Sequence, residues 1–363
     1  MPDGVPGWLV TGYAEAKALL DDRRVSKDAG RALGLFPDGT AKLYATPLAV
    51  QMLNSDPPDH SRPRRLVSKA FTARMVANLR PRIEQIADEL LDAITERKTV
   101  DLVEAYAFPL PISVISELLG VPQQDRARLR DWGRAMTSGA PQSVANRVSS
   151  EVADYFRALA AAKRAAPAED MLSALVQVMN GGDRLSEDEL VSTAYLLMVA
   201  GHETTTNLIG NSVLALLRNP AQMTRLREDP TSMPAAVEEF LRFNGPLHIA
   251  TLRFTVDRVP VGGVEIPPGQ FVMVSLLAAN RDPSRFTDPL SLDLDRSAVG
   301  HLAFGHGIHY CVGAPLARLE AETALSRLLE RFGTIHLDVS ADDLRWRSST
   351  LHGLRELPVR VER

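Results

Sequence analysis

Cysteine is almost missing from this chain: Cys311 is the only one in 363 residues. One thiol closes no internal disulfide, which fits a reducing compartment. Nor can one cysteine with scattered histidines supply the four-ligand spacing of a structural zinc site. Long apolar runs are missing as well. The most apolar helical stretch, Ala194–Ala200, is too short to cross a bilayer and runs into Gly201, His202 and Glu203. The opening Met1-Pro2-Asp3-Gly4 has neither the basic nor the apolar part of a secretory signal, so a cytoplasmic location with no membrane partner is expected. Basic charge is not in excess: the formal net charge is −4, which gives no general reason to expect a nucleic-acid partner. Repeats, low-complexity tracts and linkers are absent. What remains is an ordinary soluble balance, 45% apolar and 24% charged, with length enough for a large core.

Helical periodicity dominates the rest. Apolar residues recur at three- and four-residue spacing over Tyr13–Leu20, Met75–Arg97, Ala107–Leu119, Glu151–Lys163, Asp170–Met179 and Ala314–Arg331. The longest pattern runs from Glu187 to Leu217. Ser186 followed three residues later by Glu189 forms a capping box at its start, and Asn219-Pro220 stops it. Strand patterns are short and late: 249–256, 271–277 and 334–339, with 261–270 as a tight strand–turn–strand. The reading is a mainly α body with a small β-sheet.

The cysteine sits in "FGHGIHYCVG", residues 304–313. A lone cysteine is most often a small buried hydrophobe. Three features point to chemistry. Ala314-Pro315 begins a helix just after Cys311, so a thiolate there would feel the positive helix end. Gly305, Gly307 and Gly313 permit a tight turn and close backbone approach. Two histidines, His306 and His309, lie close by. A cysteine nucleophile with a histidine base is one option. C-x-x-C-H haem attachment is excluded by the single cysteine, and an axial thiolate to haem iron is the other option.

Phe304-x-x-Gly307-x-x-x-Cys311-x-Gly313 resembles the haem-binding signature of the cytochrome P-450 (haem-thiolate monooxygenase) family. The resemblance makes Cys311 the proximal ligand of haem b iron, with thiolate electron donation favouring O–O cleavage. Further motifs occur in the family's order. "AGHETTTN", 200–207, resembles the distal-helix pattern. There the Ala200-Gly201 pair leaves room for O2, and Glu203 and Thr204 are the acid–alcohol pair that delivers protons. A threonine-rich helix bend is the plainer reading of the same residues. Thr206 in place of histidine excludes the zinc-protease pattern H-E-x-x-H. Glu239-x-x-Arg242, with Arg296, matches a buried structural network of the family, although Glu238 could also pair with Arg242. The resemblance assigns the haem propionates to His60, Arg64, Arg253 and His309, for which solvated surface charge is the plainer reading. Pro63 fits only a first helical turn, so that helix should start near Asp59 or be distorted.

The resemblance runs from about Trp8 to the C-terminus as a single domain, 1–363, nearest in flavour to soluble bacterial macrolide- and polyketide-modifying members. A helix and a first strand of the family are expected to be missing before "PDGVPGWLVTGY", which would leave the "GWLVTGY" strand with an open edge. The implied fold is the family's helical bundle with haem between the 187–217 helix and the Cys311 loop. The implied activity is O2-dependent hydroxylation or epoxidation of a hydrophobic small molecule in secondary metabolism. Macrolides, terpenoids and steroids are examples. Electrons are expected from a ferredoxin and its reductase, docking on a basic patch of Arg62, Arg65, Lys69 and Arg74; a solvated helix face is the plainer reading of that patch. The pocket is expected to draw on 30–55, 137–144, Met198–Ala200, Leu247–Leu252 and Ser349–His352. The rivals are a peroxide-using or C–C coupling enzyme on the same haem, and a non-catalytic haem protein, for which a Glu203-Thr204 pair would have no use.

Overall fold

The computed structural model describes residues 5–36, 48, 51–137, 142–177, 185–347 and 350–363, and of residues 134, 136, 137 and 142 only the backbone. Its centre is the helix Glu187–Arg218. The capping box forms as the sequence predicts: Ser186 N–H donates to Glu189 Oε2 at 2.7 Å, and Glu189 N–H donates to Ser186 Oγ at 3.2 Å. A helix apolar on every side belongs inside a bundle, and this one packs against Pro109–Leu118, Gln142–Ala165, Met233–Asn244 and Ala314–Arg331.

The helix Ala314–Arg331 has the predicted bounds, with Pro315 in its first turn, where a missing N–H costs little. Other boundaries differ for local reasons. The expected Met75–Arg97 helix runs Ala73–Thr95, because the Thr72 hydroxyl caps Met75 N–H at 3.2 Å. The expected Glu151–Lys163 helix starts at Gln142, because Val148 and Val152 extend one buried face a turn at a time. The 271–277 strand is only Phe271–Val274, since Ser275 caps a short helix, Leu276–Ala279. The 249–256 strand shortens to Arg253–Thr255, and the 334–339 strand to Thr334–Leu337.

Four strands form one sheet in the order Trp8–Val10, Phe271–Val274, Arg253–Thr255, Val25–Ser26. Trp8–Val10 runs parallel to Phe271–Val274, and its other edge is unpaired among the described residues, leaving Trp8 and Leu9 exposed. Thr99–Asp101, Pro358–Glu362 and Thr334–Leu337 make a second sheet. Val259–Val261 and Val264–Ile266 form the expected hairpin, whose two turn residues, Gly262 and Gly263, have φ of 54° and 81°. Among the described residues no helix is long and apolar enough to cross a membrane.

Candidate active site

The cysteine loop is closed by its own backbone. Cys311 N–H donates to Phe304 O at 2.9 Å, and Tyr310 N–H donates to Gly307 O at 3.0 Å. Gly307 is required twice. Its φ is 70°, and a Cβ there would fall 2.4 Å from Asp21 Oδ1 and 3.1 Å from Asp21 Cα. Gly305 has φ 74°. Gly313 departs from the expectation of a special turn residue: its backbone is ordinary at φ −81°, and a Cβ would rest 3.8 Å from Cys311 Sγ. Its contribution is an N–H directed at the sulfur. The Cys311 side chain is exposed, yet deep in a protein-walled recess. Burial in that recess pushes its thiol up, while the Gly313 and Ala314 N–H groups and the Arg64 and Arg318 guanidinium groups pull it down. Phe304 lies beneath Arg318, whose Cζ sits 4.5 Å from the ring centroid.

One side of the loop meets a cluster of basic side chains. His60 immediately precedes the helix Ser61–Ala70 without a capping hydrogen bond, and its ring centroid lies 4.3 Å from that of His309. Pro63 occupies the first turn without distortion, so the expected start near Asp59 holds to within two residues. One turn on, Arg64 Nη2 donates to Tyr310 O at 2.7 Å. Arg253 Nη1 donates to Thr251 O at 2.6 Å. Desolvation first, then the charges of Arg64 and Lys27, hold His60 down at about 4. Desolvation, then Lys27, His60, Arg253 and Arg64, hold His309 at about 2. The four residues singled out in the sequence thus converge, and a fifth basic group, Lys27, joins them. No motif marks Lys27 in "RVSKD".

The long helix is buried along its middle except at one place. Ala200 is exposed, and Val199, Gly201 and Thr204 are half-buried. Thr204 Oγ1 donates to Ala200 O at 2.9 Å, so both face the same opening. Gly201 lies at the same gap, and a Cβ there would come within 3.0 Å of Ile115 Cδ1, so its smallness also lets two helices approach. Met198, expected to line the pocket, is fully buried. Glu203 is buried and faces Arg347, whose Nη1 lies 3.4 Å from both carboxylate oxygens. His352, also expected in the pocket, is a brace. Trp346 stacks on it at 4.3 Å, and it hydrogen-bonds His248 at 3.0 Å and Asn244 Oδ1 at 2.7 Å. Residues 37–47, 49–50, 138–141 and 349 of the expected lining lie outside the described residues.

The structural network takes the expected register. Glu239 and Arg242 are fully buried and pair at 2.6 and 2.7 Å, and Arg296 Nε reaches Glu239 Oε1 at 3.2 Å. The remaining N–H donors of Arg242 go to the carbonyls of Asn280, Pro289 and Ser291. Glu238 turns instead to Arg318 and His301. Within the expected surface patch, Arg62 is drawn off into an ion pair with Glu189, whereas Arg65, Lys69 and Arg74 are exposed.

These residues fit a flat, doubly anionic metal macrocycle. The buried basic groups outnumber their carboxylates, Lys27 Nζ has no hydrogen-bond partner among the described residues, and the single thiol is presented on a tight turn. Among the described residues no cluster of three metal-ligating side chains offers another metal site. A sequence profile described as Cytochrome P-450 matches residues 142–349. Cytochrome P-450 107B1 of Saccharopolyspora erythraea is 50% identical over 99% of this chain and 90% of its own. The cytochrome P-450 monooxygenase PikC of Streptomyces venezuelae is 47% identical over 100% of this chain and 87% of its own. The structure of the tirandamycin C-bound P-450 monooxygenase TamI superposes with a TM-score of 0.92 at 48% identity, covering 99% of this chain and 90% of that one. Half identical to such a relative along nearly its whole length, the chain belongs to the cytochrome P-450 family of haem-thiolate monooxygenases, and Cys311, its one thiol, is the haem ligand that membership requires.

Proposed function

We propose that this enzyme oxygenates a large, mostly apolar, polyketide-derived molecule, with electrons supplied by a ferredoxin and its reductase. The substrate class is supported by the tirandamycin C-bound TamI and by the apolar opening at Val199 and Ala200. When bound, the thiolate-ligated haem supplies the redox chemistry by which O2, two electrons and two protons give one oxygen atom to the product and one to water.

The chain's own residues do the rest. Cys311 binds the metal, and the Gly313 and Ala314 N–H groups and the Arg64 and Arg318 charges favour its thiolate. His60, Arg64, Arg253 and His309 neutralise the two carboxylates of the cofactor. Thr204 holds a proton at its hydroxyl, on the carbonyl of Ala200, within reach of the opening. Glu203, buried against Arg347, passes protons towards it. Arg65, Lys69 and Arg74 are exposed and offer an acidic ferredoxin a complementary surface.

The observation that carries the oxygenase reading is the Thr204 hydroxyl set at the one gap in an otherwise buried helix. Its test is turnover of a polyketide panel with surrogate ferredoxin, reductase and isotopically heavy O2. The label should enter the product, and the reduced protein should show the red-shifted carbon monoxide band of thiolate ligation. Turnover with peroxide alone, at a rate that reductant and O2 never match, would replace this reading with a peroxide-using enzyme.

A further inference from the structure

Lys27 is an anomalous group among the described residues. It follows the strand Val25–Ser26, it is 3% exposed, and its Nζ has no hydrogen-bond partner among the described residues. Its neighbours make the position worse. The charge of Arg253 repels it, and His60 and His309 both feel Lys27 in turn. Asp56 is the one carboxylate that attracts it, and that group is already occupied: Oδ2 accepts from Ser26 Oγ at 2.5 Å and Oδ1 from the Lys27 backbone N–H at 3.0 Å.

A buried amine without a partner gives up its proton unless an anion joins it, and burial pushes Lys27 well below its usual range, so the side chain carries charge only where an anion binds it. The binder must be an anion. It must also lie where Lys27, Arg253, His60 and His309 can share it, at the edge of the recess that holds Cys311. We infer that Lys27 binds a carboxylate of the haem, its ammonium facing a propionate together with Arg253 and the His60–His309 pair. This rests on the haem assignment and on no other part of the proposed function. It adds a residue from the N-terminal part of the chain to a site otherwise made of the 60–64, 253 and 309 segments. It also explains why Asp56 grips the backbone of Lys27 and leaves the ammonium free: the carboxylate fixes where the side chain starts.

Haem transfer from holoenzyme to excess apomyoglobin gives a readout independent of catalysis. Lys27→Met should lose haem about ten- to a hundredfold faster than wild type, the range expected for one charge-assisted hydrogen bond. Lys27→Arg should stay near wild type. Reconstitution with haem dimethyl ester, whose propionates carry no charge, should accelerate loss from wild type and remove the difference between wild type and Lys27→Met. Melting of the haem-free proteins completes the test, with Lys27→Met at least as stable as wild type because a buried amine with no hydrogen-bond partner among the described residues has gone. An equal Met-against-wild-type ratio with free and esterified haem would overturn the inference, as would a wild-type rate of loss from Lys27→Met. If Lys27→Met does not fold, Lys27→Gln and Lys27→Arg carry the same comparison. The carbon monoxide band of wild type, recorded on the same samples, separates failure of this inference from failure of the haem-thiolate reading.

Discussion

Arg347 faces the Glu203 carboxylate squarely, one guanidinium nitrogen 3.4 Å from each oxygen, across 144 residues of sequence. The two ends of this pair differ in their access to water. Glu203 is 2% exposed, whereas the Arg347 side chain is 27% exposed and also donates from Nε to Leu354 O. Removing either partner therefore has unequal consequences.

Arg347→Met leaves a carboxylate buried without its cation, and should cost about 1–3 kcal/mol of holoenzyme stability. Glu203→Gln leaves a guanidinium that water can reach, and should cost less than that. Turnover should rank the other way, because only Glu203→Gln removes the proton-carrying group. Urea denaturation and product formation, measured on the same two proteins, check the crossing. A Glu203→Gln variant less stable than Arg347→Met would break the argument.

Thr204→Ala should leave haem content and substrate binding near wild type while lowering the product formed per NAD(P)H consumed. The missing electrons should appear as hydrogen peroxide. A positioned proton-transfer group contributes about 10²–10⁴-fold to the step it serves. If coupling does not change, the Thr204 hydroxyl has no part in proton delivery.

Charge reversal at Arg65 and Lys69 should weaken ferredoxin-driven turnover and spare peroxide-driven turnover. Added salt should reproduce the first effect, since steering by exposed charges is screened over about 10 Å at 0.1 M ionic strength. Arg62 is left out of the test because it holds Glu189 at the start of the long helix. Equal losses in both assays would assign these residues to folding or haem retention.

The His352 brace predicts an acid weakness. His352 Nδ1 meets His248 Nε2 and His352 Nε2 meets Asn244 Oδ1; with His352 neutral, its Nε2–H donates to that oxygen and its Nδ1 is left to accept from His248. Desolvation, then His248 and Arg281, hold His352 down at about 3 from a usual value of 6.5. The unfolded chain takes up this proton first, so the stability is complete above about pH 6.5 and is lost as pH falls from there towards 3. The slope is at most about 1.4 kcal/mol per pH unit. Denaturation at pH 7 and pH 5 should show a larger drop for wild type than for His352→Gln. Parallel drops would mean that His352 is protonated without consequence.

What could be read from the sequence was local. The capping box at Ser186 and Glu189, the Glu239-x-x-Arg242 pair and the Ala314-Pro315 helix start each lie within a few residues, where spacing dictates geometry. Cys311 stood out through the glycines around it. Lys27 and Arg347 did not, because their surroundings are assembled from distant segments and neither lies in a patterned stretch. Gly201 shows the reverse. A helical glycine needs a reason, but only the fold reveals that Ile115 on a neighbouring helix supplies one in addition to the gap beside Ala200. Met198 was misjudged because neighbours on a helix point 100° apart, so one residue borders the opening while the next but one is sealed in the core.

The Arg64 hydrogen bond to Tyr310 O has a mechanical consequence. Tyr310 immediately precedes the metal ligand, so one side chain links the backbone beside the thiol to the cluster of basic groups proposed to hold the cofactor's carboxylates. If Arg64 holds a carboxylate, that contact and the metal ligand cannot be adjusted separately. A shift of the Ser61–Ala70 helix would tug the sulfur's backbone as well as that cluster. Substitutions at Arg64 should accordingly be felt twice, in the midpoint reduction potential and in the rate of cofactor escape, with the two drifting in step across a mutant series.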